Sequence, residues 1–147
     1  MTGASKLLIV DDDRDDLDIA LRALDRQGLG GIVKVARDGQ EALELLGLEN
    51  GTPKSPIRPR VIFLDLKMPR VDGWEVLRRL REDEELADLP VVVLSSSDHE
   101  PDVKRSYELG ANSFLVKRFD SRGPGTYIVE AAQYWLDLNR PPPRRGA

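Results

Sequence analysis

The sequence is short, acidic and free of cysteine. Its 147 residues fall in the size range of one domain. With 40% hydrophobic and 33% charged residues, it is neither a disordered nor a membrane-embedded chain. The lack of cysteine excludes disulfides, thiolate metal sites and cysteine nucleophiles. The net charge of -4 argues against a nucleic-acid-binding surface. We therefore expect a cytoplasmic domain that binds neither nucleic acid nor membrane.

Short apolar segments alternate with stretches of helical spacing along the chain. The segments are residues 7–10, 32–36, 61–64, 91–94 and 113–116. Between them, hydrophobic residues recur three and four positions apart. Because continuous apolar strands are buried on both faces, the pattern predicts an α/β fold, a doubly wound five-stranded parallel sheet with helices on both faces. The functional crevice of such a sheet lies at the carboxyl ends of its strands.

The predicted domain covers residues 1–138 and ends in an arm. Residues 49–60 are rich in proline and are expected to form a long loop within the domain. Beyond Leu138, three successive prolines, Pro141 to Pro143, cannot continue a helix. We expect residues 139–147 to form an extended arm rich in proline and arginine.

Carboxylates follow two of the predicted strands. Asp11 and Asp12 follow the first strand, and Asp65 follows the third. Carboxylates that converge at one sheet edge repel one another unless a cation is present, and Mg²⁺ prefers such oxygen ligands. The remaining acidic residues in this region are interpreted as a capped helix start; they are Asp13, Asp15, Asp16 and Asp18.

Four motifs, in this order, each end a predicted strand: LIVDDD, FLDLKMPRVDGWEVL, VVVLSSSD and NSFLVKRF. Together they resemble the response regulator receiver family over residues 5–138. The resemblance implies a flavodoxin-like fold with Asp65 as phosphoacceptor. It also implies Mg²⁺ coordination by Asp12, by Asp11 through water, by Asp65, and by the backbone carbonyl of Lys67.

The same resemblance implies roles for two residues after the fourth and fifth strands. Ser95 would contact the phosphoryl group through its hydroxyl, and Lys117 would lie beside the acidic cluster. Phosphoryl transfer mainly requires alignment and charge neutralisation, which a lysine, a hydroxyl and Mg²⁺ supply. The alternatives are that Ser95 is only a polar strand end and that Lys117 forms a surface ion pair.

The chain departs from the family pattern at two positions. Arg118 stands where the family usually has a proline, often in a cis bond, and we expect a trans Lys117–Arg118 bond because non-proline cis bonds are costly. The family's switch aromatic falls on Phe114, which lacks a tyrosine hydroxyl. We expect Phe114 and Ser95 to form the switch.

A narrower resemblance concerns the partner. The long loop, the Ser95–Ser97 run, the missing proline and the YWL segment before the proline-rich tail resemble the receivers that partner bacterial phytochromes. The implied partner is a sensor histidine kinase of the phytochrome type. Because no output domain follows, we expect the signal to pass to a downstream protein through direct contacts.

Two other functions remain open from the sequence. An aspartyl-phosphate phosphohydrolase would use a similar carboxylate and Mg²⁺, but it usually carries a second Asp two positions after the nucleophile, where this chain has Lys67. A pseudo-receiver scaffold would lack part of the acidic set. We expect no enzyme activity beyond self-assisted phosphotransfer and autodephosphorylation.

The last helix has more apolar surface than one sheet contact requires. Two rows recur at helical spacing; they are Tyr127, Ala131, Tyr134 and Leu138, and Ile128, Ala132 and Trp135. One row can cover the sheet, so the other predicts a homodimer through the fourth and fifth helices and the fifth strand, extended by the arm. The alternative is that Trp135 caps the core of the monomer.

Overall fold

Strands and helices alternate along the chain. The computed structural model describes residues 5–49, 55–118 and 122–143. Its elements are β1 (Leu7–Val10), α1 (Arg14–Arg26), β2 (Val33–Ala36), α2 (Gly39–Leu45), β3 (Val61–Asp65), α3 (Gly73–Glu82), β4 (Val91–Ser95), α4 (Glu100–Glu108), β5 (Ser113–Val116) and α5 (Thr126–Gln133).

The strands form one parallel sheet in the order β2-β1-β3-β4-β5. The predicted fold is confirmed. From β1 the chain first moves to one side of the sheet and then crosses to the other, so the strand order reverses between β1 and β3. In a doubly wound sheet this reversal opens a crevice at the carboxyl ends of the two strands.

The core has two layers because successive strand residues point to opposite faces of the sheet. Leu8 and Ile62 pack on one face with residues of α2 and α3 such as Leu43 and Leu77. On the other face, the alternate residues Leu7, Ile9, Val61 and Phe63 pack with residues of α1 and α5, among them Leu24 and Ile128. The sheet is therefore held between helices on both sides.

The two edge strands are less buried than the sequence predicted. All residues of β1, β3 and β4 are buried, whereas β5 is half-buried throughout and β2 has only Ala36 buried. An edge strand has a neighbour on one side only, so the helices cover it incompletely. The predicted second strand also began one residue early, because Ile32 belongs to a short 3₁₀ turn.

The last helix changes its geometry before the arm. After Gln133 the chain continues as a π-helical turn over Tyr134–Leu138, and the Asn139 amide donates to the Tyr134 carbonyl at 2.7 Å. This wider turn leaves Tyr134 and Leu138 48% and 77% exposed, while Leu136 is buried. Trp135 packs partly against the core, as the monomer alternative required.

The described part of the arm lies at the end of the sheet opposite the crevice. Pro141, Pro142 and Pro143 line a pocket of about 310 Å³ with the segments that precede β3 and β4. Arg144 to Ala147 lie outside the described residues, as do residues 50–54 of the predicted loop. In the described parts of the chain, no helix is long and apolar enough to cross a membrane.

Candidate functional site

Three carboxylates meet at the crevice between β1 and β3. Val10 pairs with Leu64, so the residues that come next on the two strands, Asp11 and Asp65, lie side by side. One carboxylate oxygen from each of Asp11, Asp12 and Asp65 lies within 4.8 Å of the other two. Asp11 and Asp65 are buried, whereas Asp12 faces solvent. This oxygen donor set, open on one side, fits a hard divalent cation that keeps some of its water ligands.

The turn after β3 places its backbone close to Asp65. The Gly73 amide donates to the Leu66 carbonyl at 2.8 Å. A Cβ atom at Gly73 would lie 2.2 Å from the Asp65 carbonyl oxygen, so only glycine fits this approach. Asp72 caps α3 by accepting a hydrogen bond from the Glu75 amide. The Asp72–Gly73 pair therefore has the structural role expected of turn residues.

Lys117 reaches the acidic cluster from the end of β5. Its ammonium donates to Asp11 Oδ2 at 2.7 Å and to Asp16 Oδ2 at 2.8 Å, and it lies 3.8 Å from Asp65 Oδ1. The backbone contributes too, because the Lys117 amide donates to the Ser95 carbonyl at 2.7 Å. The described chain contains no cis peptide bond, so the Lys117–Arg118 bond is trans as expected.

The ionisable groups of the site have shifted pKa values. Burial raises the pKa of Asp65 to about 7, Lys117 opposes this shift, and the charges of Asp11 and Asp12 add to it. For Lys117, burial alone would lower the pKa, but hydrogen bonds to Asp11 and Asp16 and the charge of Asp65 raise it above its usual value. Lys117 is therefore a permanent cation beside a carboxyl group that titrates near neutrality.

Ser95 ends β4 on the same side of the crevice. Its side chain is buried, and its Oγ accepts a hydrogen bond from the Ser97 amide at 3.2 Å. Ser95, Ser96 and Ser97 line one cleft together with Asp65 and Lys117. The cleft thus offers hydroxyl groups, the Lys117 ammonium and the carboxylates around Asp65.

Lys67 also lines this cleft, but its side chain turns toward α4. Its Nζ lies 3.3 Å from Asp102 Oδ2, with 68% of the Lys67 side chain and 15% of the Asp102 side chain exposed. Asp102 Oδ2 is buried and accepts no hydrogen bond from the described residues, so this ion pair compensates its charge. The predicted role of the Lys67 carbonyl as a metal ligand stays a prediction.

Two aromatic residues, Phe114 and Trp74, pack in the core layer of α2 and α3. Phe114 is half-buried in β5 and packs against the core layer of α2 and α3. The Trp74 Nε1–H donates to Ser106 Oγ at 3.3 Å, and the Arg105 guanidinium carbon lies 4.2 Å from the centre of the Trp74 ring. Trp74 therefore joins α3 to α4. A switching role for Phe114 stays a prediction.

Asp16 is the site residue that the sequence did not indicate. Asp13 caps α1 as expected, since its side chain accepts from the Asp16 amide at 3.0 Å. The Asp16 carboxylate, however, bonds to Lys117, although the sequence pattern grouped it with the helix start. Residues 16 and 117 are brought together only by the fold. Helical spacing gives no signal for this contact.

Comparison with known proteins agrees with this geometry. The family model of the response regulator receiver domain matches residues 7–123. The regulatory protein FilR2 of Methanothrix harundinacea is 38% identical over 136 residues, which cover 92% of this chain and 86% of FilR2.

Solved structures give the same result. The phosphorylated cyanobacterial phytochrome response regulator RcpA aligns at 32% identity with a TM-score of 0.84, covering 96% of this chain and 100% of RcpA. The Mn²⁺-bound form of Rcp1, a response regulator of Synechocystis, aligns at 32% identity with a TM-score of 0.82, covering 95% of this chain and 99% of Rcp1. This chain belongs to the response regulator receiver domain family.

Proposed function

We propose that this chain is a response regulator that accepts a phosphoryl group from a sensor histidine kinase onto Asp65, with Mg²⁺ held by Asp11, Asp12, Asp65 and the Lys67 carbonyl. The observation that carries the proposal is the surroundings of Asp65, which has carboxylate oxygens of Asp11 and Asp12 within 4.8 Å and the Lys117 ammonium at 3.8 Å. The Mn²⁺ in the related Rcp1 structure supports a divalent cation at this cluster.

The chemistry follows from the groups around Asp65. An Asp65 carboxylate oxygen forms a bond to phosphorus as the bond from phosphorus to the donor breaks and its electron pair leaves with the donor. Lys117 offers positive charge to the phosphoryl oxygens, and Ser95 offers a hydrogen bond. Mg²⁺, when bound, would neutralise charge on these oxygens and favour ionised Asp65, whose pKa burial raises to about 7.

The phosphorylated state would be sensed by Ser95 and Phe114. A phosphoryl group adds negative charge and three acceptor oxygens next to Ser95, which ends the strand beside β5. If the Ser95 hydroxyl turns toward it, the half-buried Phe114 ring can move inward. We propose that this movement changes the surface offered to a downstream protein.

Phosphorylation by a small donor tests the site assignment. The intact chain incubated with Mg²⁺ and acetyl phosphate should gain one phosphoryl group by mass spectrometry. Asp65→Asn should abolish the gain, while Asp18→Asn, an exposed change in α1, should preserve it. Labelling of Asp65→Asn at another residue would reject the assignment.

The same assay distinguishes the proposed phosphoacceptor from an aspartyl-phosphate phosphohydrolase. Such an enzyme would release phosphate from many esters over multiple turnovers, and it would need a second carboxylate where this chain has Lys67. We expect a single phosphorylation followed by slow autodephosphorylation. Sustained turnover of diverse phosphate esters would favour the hydrolase, and failure to label at all would favour a pseudo-receiver scaffold.

A phytochrome-type histidine kinase is the proposed partner, on the basis of the similarity to RcpA. Such a kinase domain would meet this chain in the cytoplasm. The test is a phosphotransfer profile against purified histidine kinases, including a phytochrome from the same cell. Rapid and selective transfer from the phytochrome supports this partner, whereas preference for an unrelated kinase removes it.

A homodimer is proposed from the end of the last helix. Tyr134 and Leu138 are exposed, and the Tyr134 ring stands edge-on to Trp135 at 5.2 Å. This apolar surface adjoins the arm, which we propose as a separate unit of residues 139–147 after the receiver of residues 1–138. The arm would leave its own pocket and dock on a second copy.

Light scattering tests the dimer. The intact chain, a version that ends at Leu138 and a Leu138→Glu variant are compared with and without phosphodonor. Leu138→Glu should dissociate the dimer. A monomer in every state would refute the dimer, and a dimer that truncation leaves unchanged would refute only the role of the arm.

A further inference from the structure

Lys117 has more carboxylate partners than the proposed reaction requires. Its ammonium bonds to Asp11 and Asp16, and both distances are about 1 Å shorter than its 3.8 Å distance from Asp65. Only 11% of the Lys117 side chain is exposed, so water competes weakly for these bonds. The resting position of the ammonium is therefore set by Asp11 and Asp16 more than by Asp65.

Asp16 differs from Asp11 in what else it does. Asp11 belongs to the acidic trio of Asp11, Asp12 and Asp65. Its Oδ1 also accepts a hydrogen bond from the Asp13 amide at 3.0 Å. Asp16 lies outside the trio, in the first turn of α1, with 30% of its side chain exposed. Its carboxylate therefore has no share in the proposed metal set.

We propose that Asp16 is a positioning residue that restrains Lys117 in the unphosphorylated protein, and that it thereby slows phosphorylation of Asp65. The ammonium must approach the phosphoryl oxygens to neutralise their charge. The charge-assisted bond to Asp16 opposes that movement. The inference rests on the proposed phosphoacceptor role of Asp65.

The first test compares rates of phosphorylation by acetyl phosphate. Asp16→Asn removes the charge that holds Lys117, so the rate constant should rise by about fivefold, whereas Asp16→Glu should stay near wild type. Asp15→Asn is the matched control, because Asp15 is exposed, lines the same cleft and is not a partner of Lys117 in the described structure. An unchanged or slower rate for Asp16→Asn, or an equal gain for Asp15→Asn, overturns the proposal.

Removal of Lys117 distinguishes restraint from simple repulsion of the donor. In a Lys117→Gln background, Asp16→Asn should no longer raise the residual rate, because the ammonium is gone. Repulsion between Asp16 and an anionic donor would persist in that background. A gain of the same size with and without Lys117 therefore overturns the proposal.

A measurement on the metal-free protein needs no phosphorylation. Urea unfolding of the wild type, Asp16→Asn, Lys117→Gln and the double variant forms a thermodynamic cycle. The double variant should lose less stability than the sum of the two single variants, and strict additivity overturns the proposal. If the wild type is not phosphorylated, the proposed function fails, and this cycle still decides whether Asp16 restrains Lys117.

Discussion

The Lys67 ammonium lies 3.3 Å from the Asp102 carboxylate and ties the loop after β3 to the first turn of α4. Lys67→Met should loosen this turn and reduce the free energy of unfolding by about 1 kcal/mol, because Asp102 Oδ2 is buried. Amide hydrogen exchange across α4 measures the effect. The control is Lys104→Met, since Lys104 forms a longer, exposed pair with Glu108 at 3.9 Å. Unchanged exchange in Lys67→Met would show that the pair does not hold the helix.

Stability without divalent cations should depend on pH through Asp65. Its pKa is raised from 3.8 to about 7, so between these values the folded protein binds more protons than the unfolded chain. Asp65 therefore contributes most to the free energy of unfolding below its unfolded pKa of 3.8. This contribution falls as the pH rises toward about 7 and stays constant above that pH.

Asp65→Asn should remove this part of the pH dependence. The variant should be more stable than the wild type at about pH 8, by an amount on the order of 2 kcal/mol, and the difference should shrink toward about pH 4. Urea unfolding in the presence of a chelator measures both proteins. A constant difference between them at every pH would contradict the raised pKa.

Mg²⁺ should stabilise the folded protein through the acidic trio. A ligand that binds only the folded state at 100 times its dissociation constant adds about 2.7 kcal/mol. Titration of the thermal midpoint with MgCl₂ should show this gain in the wild type and a much smaller one in Asp12→Asn. Asp18→Asn is the control, because Asp18 pairs with Arg22 on the exposed side of α1. Equal gains in both variants would place the cation elsewhere.

Gly73 should tolerate no side chain. The added Cβ of Gly73→Ala would lie 2.2 Å from the Asp65 carbonyl oxygen, so the loop must shift, at a cost of about 2–4 kcal/mol. Gly31→Ala is the matched control, since a Cβ there meets nothing within 4 Å, and it should change stability by less than about 0.5 kcal/mol. Equal midpoints in urea would exclude close packing as the reason for this glycine.

The centre of the fold was predictable from sequence because each buried strand is a continuous apolar run with its polar residues at the carboxyl end. That rule located Asp11 and Asp65, whereas the role expected of Ser95 came from the family resemblance. The edges were less predictable, since β2 and β5 carry similar residues but are covered on fewer sides.

Two contacts between distant segments were not predictable. The bond between Asp16 and Lys117 joins α1 to the end of β5, and the pair of Lys67 and Asp102 joins a loop to α4. Neither has a periodic signature, because each depends on how helices are placed on the finished sheet. The π-helical turn was also not predictable. Because it is wider than a regular turn, it moves the apolar residues after Gln133 away from the positions that regular helical spacing gives them.

The position of Trp74 gives the protein a native optical probe. Its indole hydrogen-bonds to Ser106 and lies under Arg105, so two residues of α4 determine the surroundings of the ring. A shift of α4 would change the hydration of the indole and its distance from a quenching cation, and with them its emission wavelength and yield. In a Trp135→Phe background, Trp74 is the one tryptophan left in the sequence. Stopped-flow fluorescence could then time the movement of α4 without an attached dye.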